Sequence, residues 1–285
     1  MRKKIIFTVI TAVVAAVVGI ILYLYCFNAV MKLPDNNPQN FLQQKNTTGK
    51  VLVCIGDSIT HGRGSCNYVD MLVQKFGTKG YRVVNAGING QLAYNVTRRL
   101  DEIVKCNPDY VTVLIGTNDV NASMSKKNGE HYISEMKLPQ MPTKEWYRDN
   151  LEKICIELKK RTKAKIALVS LPPISENPTS PAFARAKEYS DIVKEVAIRQ
   201  KLAYLPLNEM MTLYLQQYKN KPLLEYNENW KFPMSKGIAQ HFLLKKSFDD
   251  ISQSNGFILL TDLIHLNCTG AGLVADTIEN FVATN

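Results

Sequence analysis

Glycine and proline are scarce in this chain, with 15 and 12 among 285 residues, which excludes a collagen-like architecture. Six cysteines are too few for a disulfide scaffold at this length, and without a C-x-x-C pair they do not predict a zinc site. The sequence contains no internal repeat. It also has no arginine-rich stripe, so we expect no nucleic acid partner. Hydrophobic residues make up 46% and charged residues 21%, which is typical of a folded globular protein.

The N-terminal segment differs physically from the rest of the chain. Arg2, Lys3 and Lys4 precede an apolar run from Ile5 to Cys26, which as a helix is about 33 Å long, enough to cross the hydrocarbon core of a bilayer. Two tyrosines lie near its far end, where amphipathic rings prefer the membrane interface. The basic residues predict that the N-terminus stays in the cytoplasm and that the remainder is exported.

A cleaved signal peptide is the alternative interpretation of this run. Signal peptides have an apolar core of about 7–15 residues followed by small residues at a cleavage site, whereas this run is longer and ends in Leu24, Tyr25 and Cys26. We therefore predict the following segments: a cytoplasmic basic tip at 1–4, a transmembrane anchor at 5–27, a polar stalk at 28–49 and a folded domain at 50–285.

The predicted folded domain alternates between short β-branched runs and longer helical patterns, which predicts a parallel sheet with helices on both faces. The predicted strands are Lys50–Ile55, Tyr81–Asn85, Tyr110–Ile115, Lys165–Leu171 and Leu202–Leu207. The predicted helices are Tyr68–Phe76, Leu92–Val104, Lys144–Arg161, Ala182–Lys201 and Gly270–Val282. Residues from about 209 to 255 break the alternation, and we interpret them as an insertion that contains one helix and irregular, aromatic-rich segments.

Glycine and polar residues follow the first three predicted strands. In parallel α/β sheets, ligands and chemistry lie at the carboxyl ends of the strands, so these segments are candidates for a functional site. The candidate segments are Gly56-Asp57-Ser58, Asn85 to Gly90, Gly116-Thr117-Asn118-Asp119 and, before the last helix, Asp262 to His265.

These segments contain the parts that ester hydrolysis needs. Ser58 on a tight strand-to-helix turn can act as a nucleophile, provided that a histidine base and an acceptor for that histidine lie nearby. Of the four histidines, only His265 has a carboxylate three residues earlier, Asp262. The backbone N–H groups of Ser58 and Gly90 and the side-chain amide of Asn118 can donate to an oxyanion from three adjacent loops. No metal or cofactor is required.

In this order, the four segments resemble the four sequence blocks of the SGNH/GDSL hydrolase superfamily of esterases and lipases. The resemblance extends from residue 56 to residue 265, and it implies a flavodoxin-like three-layer α/β/α fold with a five-stranded parallel sheet. It further implies that Ser58 is the nucleophile, His265 the general base and acid, and Asp262 the carboxylate that orients His265. The implied oxyanion hole consists of Ser58, Gly90 and Asn118.

The sequence thus predicts a serine ester hydrolase that acts outside the cytoplasmic membrane on a small-molecule, glycan or lipid ester. We expect Asp57 and Asp119 to organise loops through backbone N–H groups, and His61 to form at most part of a pocket wall. Two alternatives remain open. One is an acyltransferase that passes the acyl group to a sugar hydroxyl on the cell surface, and the other is a carbohydrate-binding module that kept the fold and lost turnover.

Overall fold

Five parallel strands form the sheet of the computed structural model, which describes residues 2–44, 48–218 and 221–284. The strands are β1 Lys50–Gly56, β2 Tyr81–Gly87, β3 Tyr110–Leu114, β4 Lys165–Val169 and β5 Ala203–Leu205. They pair in the order β2-β1-β3-β4-β5, and all four pairings are parallel. In β1 and β3 nearly every residue is buried, as expected for central strands covered on both faces.

Helices form most of the remaining structure of the described residues. They are α1 Arg2–Met31, α2 Pro38–Leu42, α3 Ser58–His61, α4 Tyr68–Gly77, α5 Ala93–Thr97, α6 Leu100–Lys105, α7 Thr117–Ala122, α8 Lys126–Met136, α9 Lys144–Arg161, α10 Pro181–Gln200, α11 Leu207–Gln216, α12 Lys231–Leu244, α13 Phe248–Ser254 and α14 Cys268–Ala283. On one face α14 packs against α4 and α11, and on the other face α9 packs against α5, α6 and α10. The three-layer α/β/α fold predicted from the sequence is confirmed.

Two predicted helical segments differ from the structure. The helix predicted at Leu92–Val104 is wrong, because α5 and α6 are separate helices with Arg98 and Arg99 between them. The Arg99 guanidinium donates to the carbonyl oxygens of Ala86 at 2.7 Å and Gly56 at 3.3 Å. The break between the two helices therefore places a partly buried cation at the ends of β2 and β1. The insertion contains most of α11 and all of α12 and α13, not the single helix predicted.

Among the described residues one helix, Phe7–Met31, is long and apolar enough to cross a membrane, and a signal sequence near an N-terminus has the same properties. The chain that follows it lies along the outer edge of β2. The Asn36 carbonyl accepts from the Asn85 N–H at 3.0 Å, and the Arg82 guanidinium stacks 4.0 Å from the Phe41 ring centroid. Much of the predicted stalk thus has defined contacts. The domain boundaries themselves remain a prediction, and residues 1, 45–47, 219–220 and 285 lie outside the described residues.

Candidate active site

Ser58 is the first residue of α3, directly after the buried end of β1. Asp57 caps this helix, because its Oδ1 accepts from the Ile59 N–H at 3.0 Å. The turn requires glycine at position 56, since a Cβ there would lie 2.0 Å from the Thr60 Oγ1 and 2.5 Å from the Leu114 carbonyl oxygen. The strand-to-helix turn therefore holds the Ser58 side chain at the carboxyl edge of the sheet, where it is partly accessible.

A hydrogen-bonded chain connects Ser58 with the segment before α14. The Ser58 Oγ lies 3.0 Å from the His265 Nε2, and the His265 Nδ1 lies 2.9 Å from the Asp262 Oδ2. The other Asp262 oxygen accepts from the backbone N–H groups of Ile264 at 2.7 Å and His265 at 2.9 Å. In this geometry the Nδ1 proton is held by Asp262, which leaves Nε2 free to accept the serine proton.

Electrostatics favour a protonatable His265 next to an ionised Asp262. Burial alone lowers the pKa of His265, but the charge of Asp262, its hydrogen bond and the charge of Asp57 outweigh it and raise the pKa above 6.5. Burial alone would raise the pKa of Asp262, and the charge and hydrogen bonds of His265 reverse this and lower it below 3.8. The pair therefore stabilises the imidazolium that forms when His265 takes a proton.

The predicted oxyanion residues lie on the two loops beside Ser58. Gly90 has a φ of +76°, a backbone conformation that favours glycine. The buried Asn118 is on α7, at the end of β3, and its Nδ2 donates to the Gln91 carbonyl oxygen at 3.0 Å. Because an amide nitrogen carries two hydrogens, this bond leaves one N–H for a ligand.

Other predicted polar residues take the positions expected of loop organisers. Asp57 caps α3, and the Asp119 Oδ2 accepts from the Ala93 N–H at 3.1 Å. Burial raises the pKa of Asp57 to about 6 and that of Asp119 well above 3.8. His61 is buried on the far end of α3, where its Nε2 donates to the Lys32 carbonyl oxygen at 3.0 Å.

Sequence reasoning missed a buried polar network that orients Asn118. The Tyr132 hydroxyl donates to the Asn118 Oδ1 at 2.8 Å and accepts from the Asn121 Nδ2 at 3.0 Å. The Asn121 Oδ1 in turn accepts from the Tyr226 hydroxyl, and the Trp230 ring stacks on Tyr132 at an interplanar angle of 4°. Two aromatic residues of the insertion thus support the amide. No sequence signal pairs an α8 tyrosine with a residue of α7.

Tyr132→Phe tests this support. The ring and its packing remain, but Asn118 loses the donor that turns its Oδ1 away from the site. We expect kcat to fall about tenfold with KM changed less than about twofold, since losing a complete oxyanion donor costs about 10²–10³. Steady-state kinetics on a soluble acetate ester provides the measurement, and Tyr218→Phe, on an exposed tyrosine, is the matched control. A selective rise in KM would contradict a positioning role for Tyr132.

Glu176 is a second residue that the sequence did not reveal. This buried carboxylate accepts three consecutive backbone N–H groups, from Ile258 at 2.8 Å, Leu259 at 2.6 Å and Leu260 at 2.8 Å. It thereby fixes the backbone that leads to Asp262. The Leu260–Leu266 bridge closes the loop that contains Asp262 and His265.

Glu176→Gln is expected to lower the free energy of unfolding by about 2–4 kcal/mol, because three buried N–H groups lose a charged acceptor and an amide cannot serve them all. Urea denaturation in detergent micelles measures the loss. Glu225→Gln, at an exposed position, should change stability by less than about 0.5 kcal/mol. Equal stabilities of the two variants would show that Glu176 does not hold the loop.

A disulfide joins the segments that carry Ser58 and His265. Cys66 follows α3, Cys268 begins α14, and the Cys66 N–H also donates to the Leu266 carbonyl oxygen at 3.1 Å. Asp249 lies close to both sulfurs, and its Oδ1 accepts from the Cys268 N–H at 2.9 Å. Because a disulfide offers no thiolate, this cluster lacks the ligands that zinc prefers.

The three-layer α/β/α fold carries a serine, a histidine and an aspartate in hydrogen-bonded sequence at the carboxyl edge of its sheet. The model of the GDSL-like Lipase/Acylhydrolase family matches residues 54–238, which is more than half of the chain. The protein belongs to this family within the SGNH/GDSL superfamily, as the sequence blocks predicted, and it is an ester-bond hydrolase.

Similar proteins support the same assignment. An acetylxylan esterase of Geobacillus stearothermophilus is 29% identical over 170 residues, which cover 53% of this chain and 72% of that protein. Among solved structures, the acetylxylan esterase Axe2 from Geobacillus stearothermophilus has a TM-score of 0.57 at 20% identity, covering 82% of this chain and 94% of its own. The acetyl xylan esterase AlAXEase has a TM-score of 0.58 at 21% identity, covering 81% of this chain and 99% of its own. The two structures share the fold.

Proposed function

We propose that the protein hydrolyses esters through Ser58, His265 and Asp262. The observation that carries this proposal is the hydrogen-bonded chain from the Ser58 Oγ through the His265 imidazole to the Asp262 carboxylate. His265 takes the serine proton as Ser58 attacks the ester carbonyl, and then gives it to the leaving alkoxide. A water molecule, deprotonated by the same imidazole, cleaves the acyl-enzyme and restores Ser58.

The N–H groups of Ser58 and Gly90 and the free N–H of Asn118 stabilise the tetrahedral oxyanion in this proposal. The amide of Asn118 is well suited to the task, because Tyr132 holds its oxygen and the Gln91 carbonyl holds one of its hydrogens. Donors that are positioned before the reaction need no reorganisation when charge develops, which is the source of their large effect on rate.

We further propose that the acyl group is acetyl and that the alcohol is a sugar hydroxyl. The acetylxylan esterase relative, which aligns over more than half of the chain, supports this choice. Beside the Tyr132 network, the insertion and α8 also form an open cleft of about 810 Å³. Its lining includes Asn227, Asn229 and Glu228, side chains that can form hydrogen bonds with sugar hydroxyls.

We place this activity outside the cytoplasmic membrane. The apolar Phe7–Met31 helix supports export, whether it stays as an anchor or serves as a signal sequence. The Cys66–Cys268 disulfide points in the same direction, because such bonds persist in oxidising compartments and are rare in the cytosol.

Chain-length and substrate assays test the function. The full-length protein in detergent is compared on p-nitrophenyl acetate, butyrate and palmitate, and then on acetylated xylooligosaccharide with release of acetate as the readout. We expect kcat/KM for acetate to exceed that for palmitate by at least about 100-fold, given the steep cost of fitting a long chain into a site built for two carbons. Preference for palmitate would replace the deacetylase assignment with a lipase-like one.

A further inference from the structure

The C-terminal end of α1 is bonded to the catalytic loops. The Asn89 Nδ2, next to Gly90, donates to the Val30 carbonyl oxygen at 3.0 Å and lies 3.6 Å from the Met31 Sδ. Two residues further, the Lys32 carbonyl oxygen accepts from His61, the last residue of the helix that begins with Ser58. The apolar helix therefore ends against the two loops that carry the nucleophile and an oxyanion donor.

This attachment brings the site close to the end of the apolar run. Val30 is only five positions after Tyr25, which lies near the end of that run, and this corresponds to about 8 Å along a helix. Phe27 and Met31 on this last turn are 49% and 44% exposed. If α1 spans a bilayer, the catalytic edge of the sheet lies directly at the membrane surface and not at the end of a long tether.

A second exposed apolar surface lies on α12, which packs beside α1. At the start of α12, Lys231 bonds to His131 of α8, and near its other end a cleft of about 410 Å³ separates Phe242 from Gly62, the residue after α3. The helix therefore extends across the catalytic edge. Among its residues only Gly237 is buried.

The surface of α12 combines exposed apolar side chains with basic ones. Phe232 and Leu244, near the two ends of the helix, are 71% and 66% exposed. Its lysines are Lys231 and Lys236, followed by Lys245 and Lys246 at its end, and no acidic residue occurs between Lys231 and Phe248. Exposed apolar groups flanked by lysines match the acyl boundary and the anionic headgroups of a lipid surface.

We propose that α12 and the end of α1 together form a lipid-binding face that holds the carboxyl edge of the sheet, with Ser58, against an anionic membrane surface. The proposal rests on the proposed ester hydrolysis for one consequence only: the substrate is an acetylated sugar carried by a membrane-embedded molecule. The exposed face is continuous with the helix that is able to span the bilayer, and its charge is opposite to that of anionic headgroups. A bilayer is therefore the partner that fits it best.

Fluorescent labels test the membrane contact without any assay of activity. The full-length protein receives a cysteine in place of Phe232 or Leu244, labelled with a polarity-sensitive dye, while the native cysteines at 26, 54, 106 and 155 are buried. Ile198→Cys is the matched control, since this residue is 69% exposed near the end of α10, at the opposite edge of the sheet. In vesicles containing phosphatidylglycerol and spin-labelled lipid, we expect blue-shifted, quenched emission at 232 and 244 and neither effect at 198. Emission at 232 and 244 equal to that at 198 would overturn the proposal.

A kinetic comparison tests the consequence for substrate choice. Acetylated dodecyl xyloside in the same vesicles and acetylated methyl xyloside in solution present the same ester, with and without a membrane anchor. We expect Lys245→Glu/Lys246→Glu to lower turnover of the vesicle substrate about tenfold and to leave the soluble one unchanged. Lys160→Glu/Lys163→Glu, at the opposite edge of the sheet, should affect neither. Equal loss on both substrates would overturn the proposal, whereas quenched labels without hydrolysis of either xyloside would support the membrane contact and contradict the proposed function.

Discussion

Ser58→Ala is expected to lower kcat for p-nitrophenyl acetate by at least about 10⁴-fold, because the variant cannot form the acyl-enzyme on which both half-reactions depend. The same change should abolish labelling by a fluorophosphonate probe. The Ser58 hydroxyl has a fixed position in the candidate site. The His265 Nε2 lies 3.0 Å from its oxygen, and Asp57 caps the helix of which Ser58 is the first residue. Far-UV circular dichroism of the variant should match that of the wild-type protein.

A serine elsewhere provides the control for this experiment. Ser254 is exposed on the last turn of α13, where its hydroxyl donates only to the Ile251 carbonyl oxygen, and Ser254→Ala should retain full labelling and turnover. If Ser58→Ala kept substantial activity, the nucleophile would be another group and the proposed mechanism would be abandoned. A folded wild-type protein with neither labelling nor turnover would instead favour a binding module on the same fold.

Asp262→Asn is the second variant with a large expected effect, and it changes both rate and pH dependence. An asparagine amide at this position can donate to the His265 Nδ1, which would leave the Nε2 protonated and unable to accept the serine proton. We expect kcat/KM to fall about 10⁴-fold at neutral pH. The position of the His265 ring and the hydrogen bonds from the Ile264 and His265 N–H groups should change little. The loss of kcat/KM would therefore result from the changed tautomer of His265.

The pH profile of kcat/KM provides a separate test of the interaction between Asp262 and His265. His265 must be neutral to act as a base, so kcat/KM falls as the pH drops through its pKa, which in the wild-type protein lies above 6.5. Removing the Asp262 charge leaves burial as the main influence, and burial lowers the pKa of a histidine. The acidic limb of the residual activity should therefore move to lower pH in Asp262→Asn. If the acidic limb of the pH profile stayed at the same pH in this variant, a group other than His265 would control it.

The deacetylase and membrane-surface proposals both involve the insertion. The insertion supplies both the Tyr226 and Trp230 side chains that support Asn118 and the exposed α12 that faces away from the core. Loss of the whole insertion would therefore affect catalysis and membrane contact together. The Tyr132→Phe and Lys245→Glu/Lys246→Glu variants separate the two roles, since Tyr132 contacts Trp230 from α8 and the two lysines follow α12.

The amino-acid sequence by itself determined the order of the strands and indicated which residues to expect in the candidate site. Apolar β-branched runs alternate with helical patterns of sufficient length, which is why the parallel sheet was predictable and why α9 begins and ends where expected. The Ser58, Gly90, Asn118 and Asp262–His265 segments were recognisable because each follows a strand or precedes a helix with its own local turn chemistry. Local patterns carry this information without reference to distant parts of the chain.

Only the tertiary structure decided how distant side chains support these segments. The bonds from Tyr132 to Asn118 and from Glu176 to the backbone before Asp262, together with the Cys66–Cys268 disulfide, join residues from different elements. The attachment of the end of α1 to His61 and Asn89 belongs to the same class. Such contacts depend on how layers pack against one another, and hydrophobic periodicity reports which face of an element is buried but not which partner it meets.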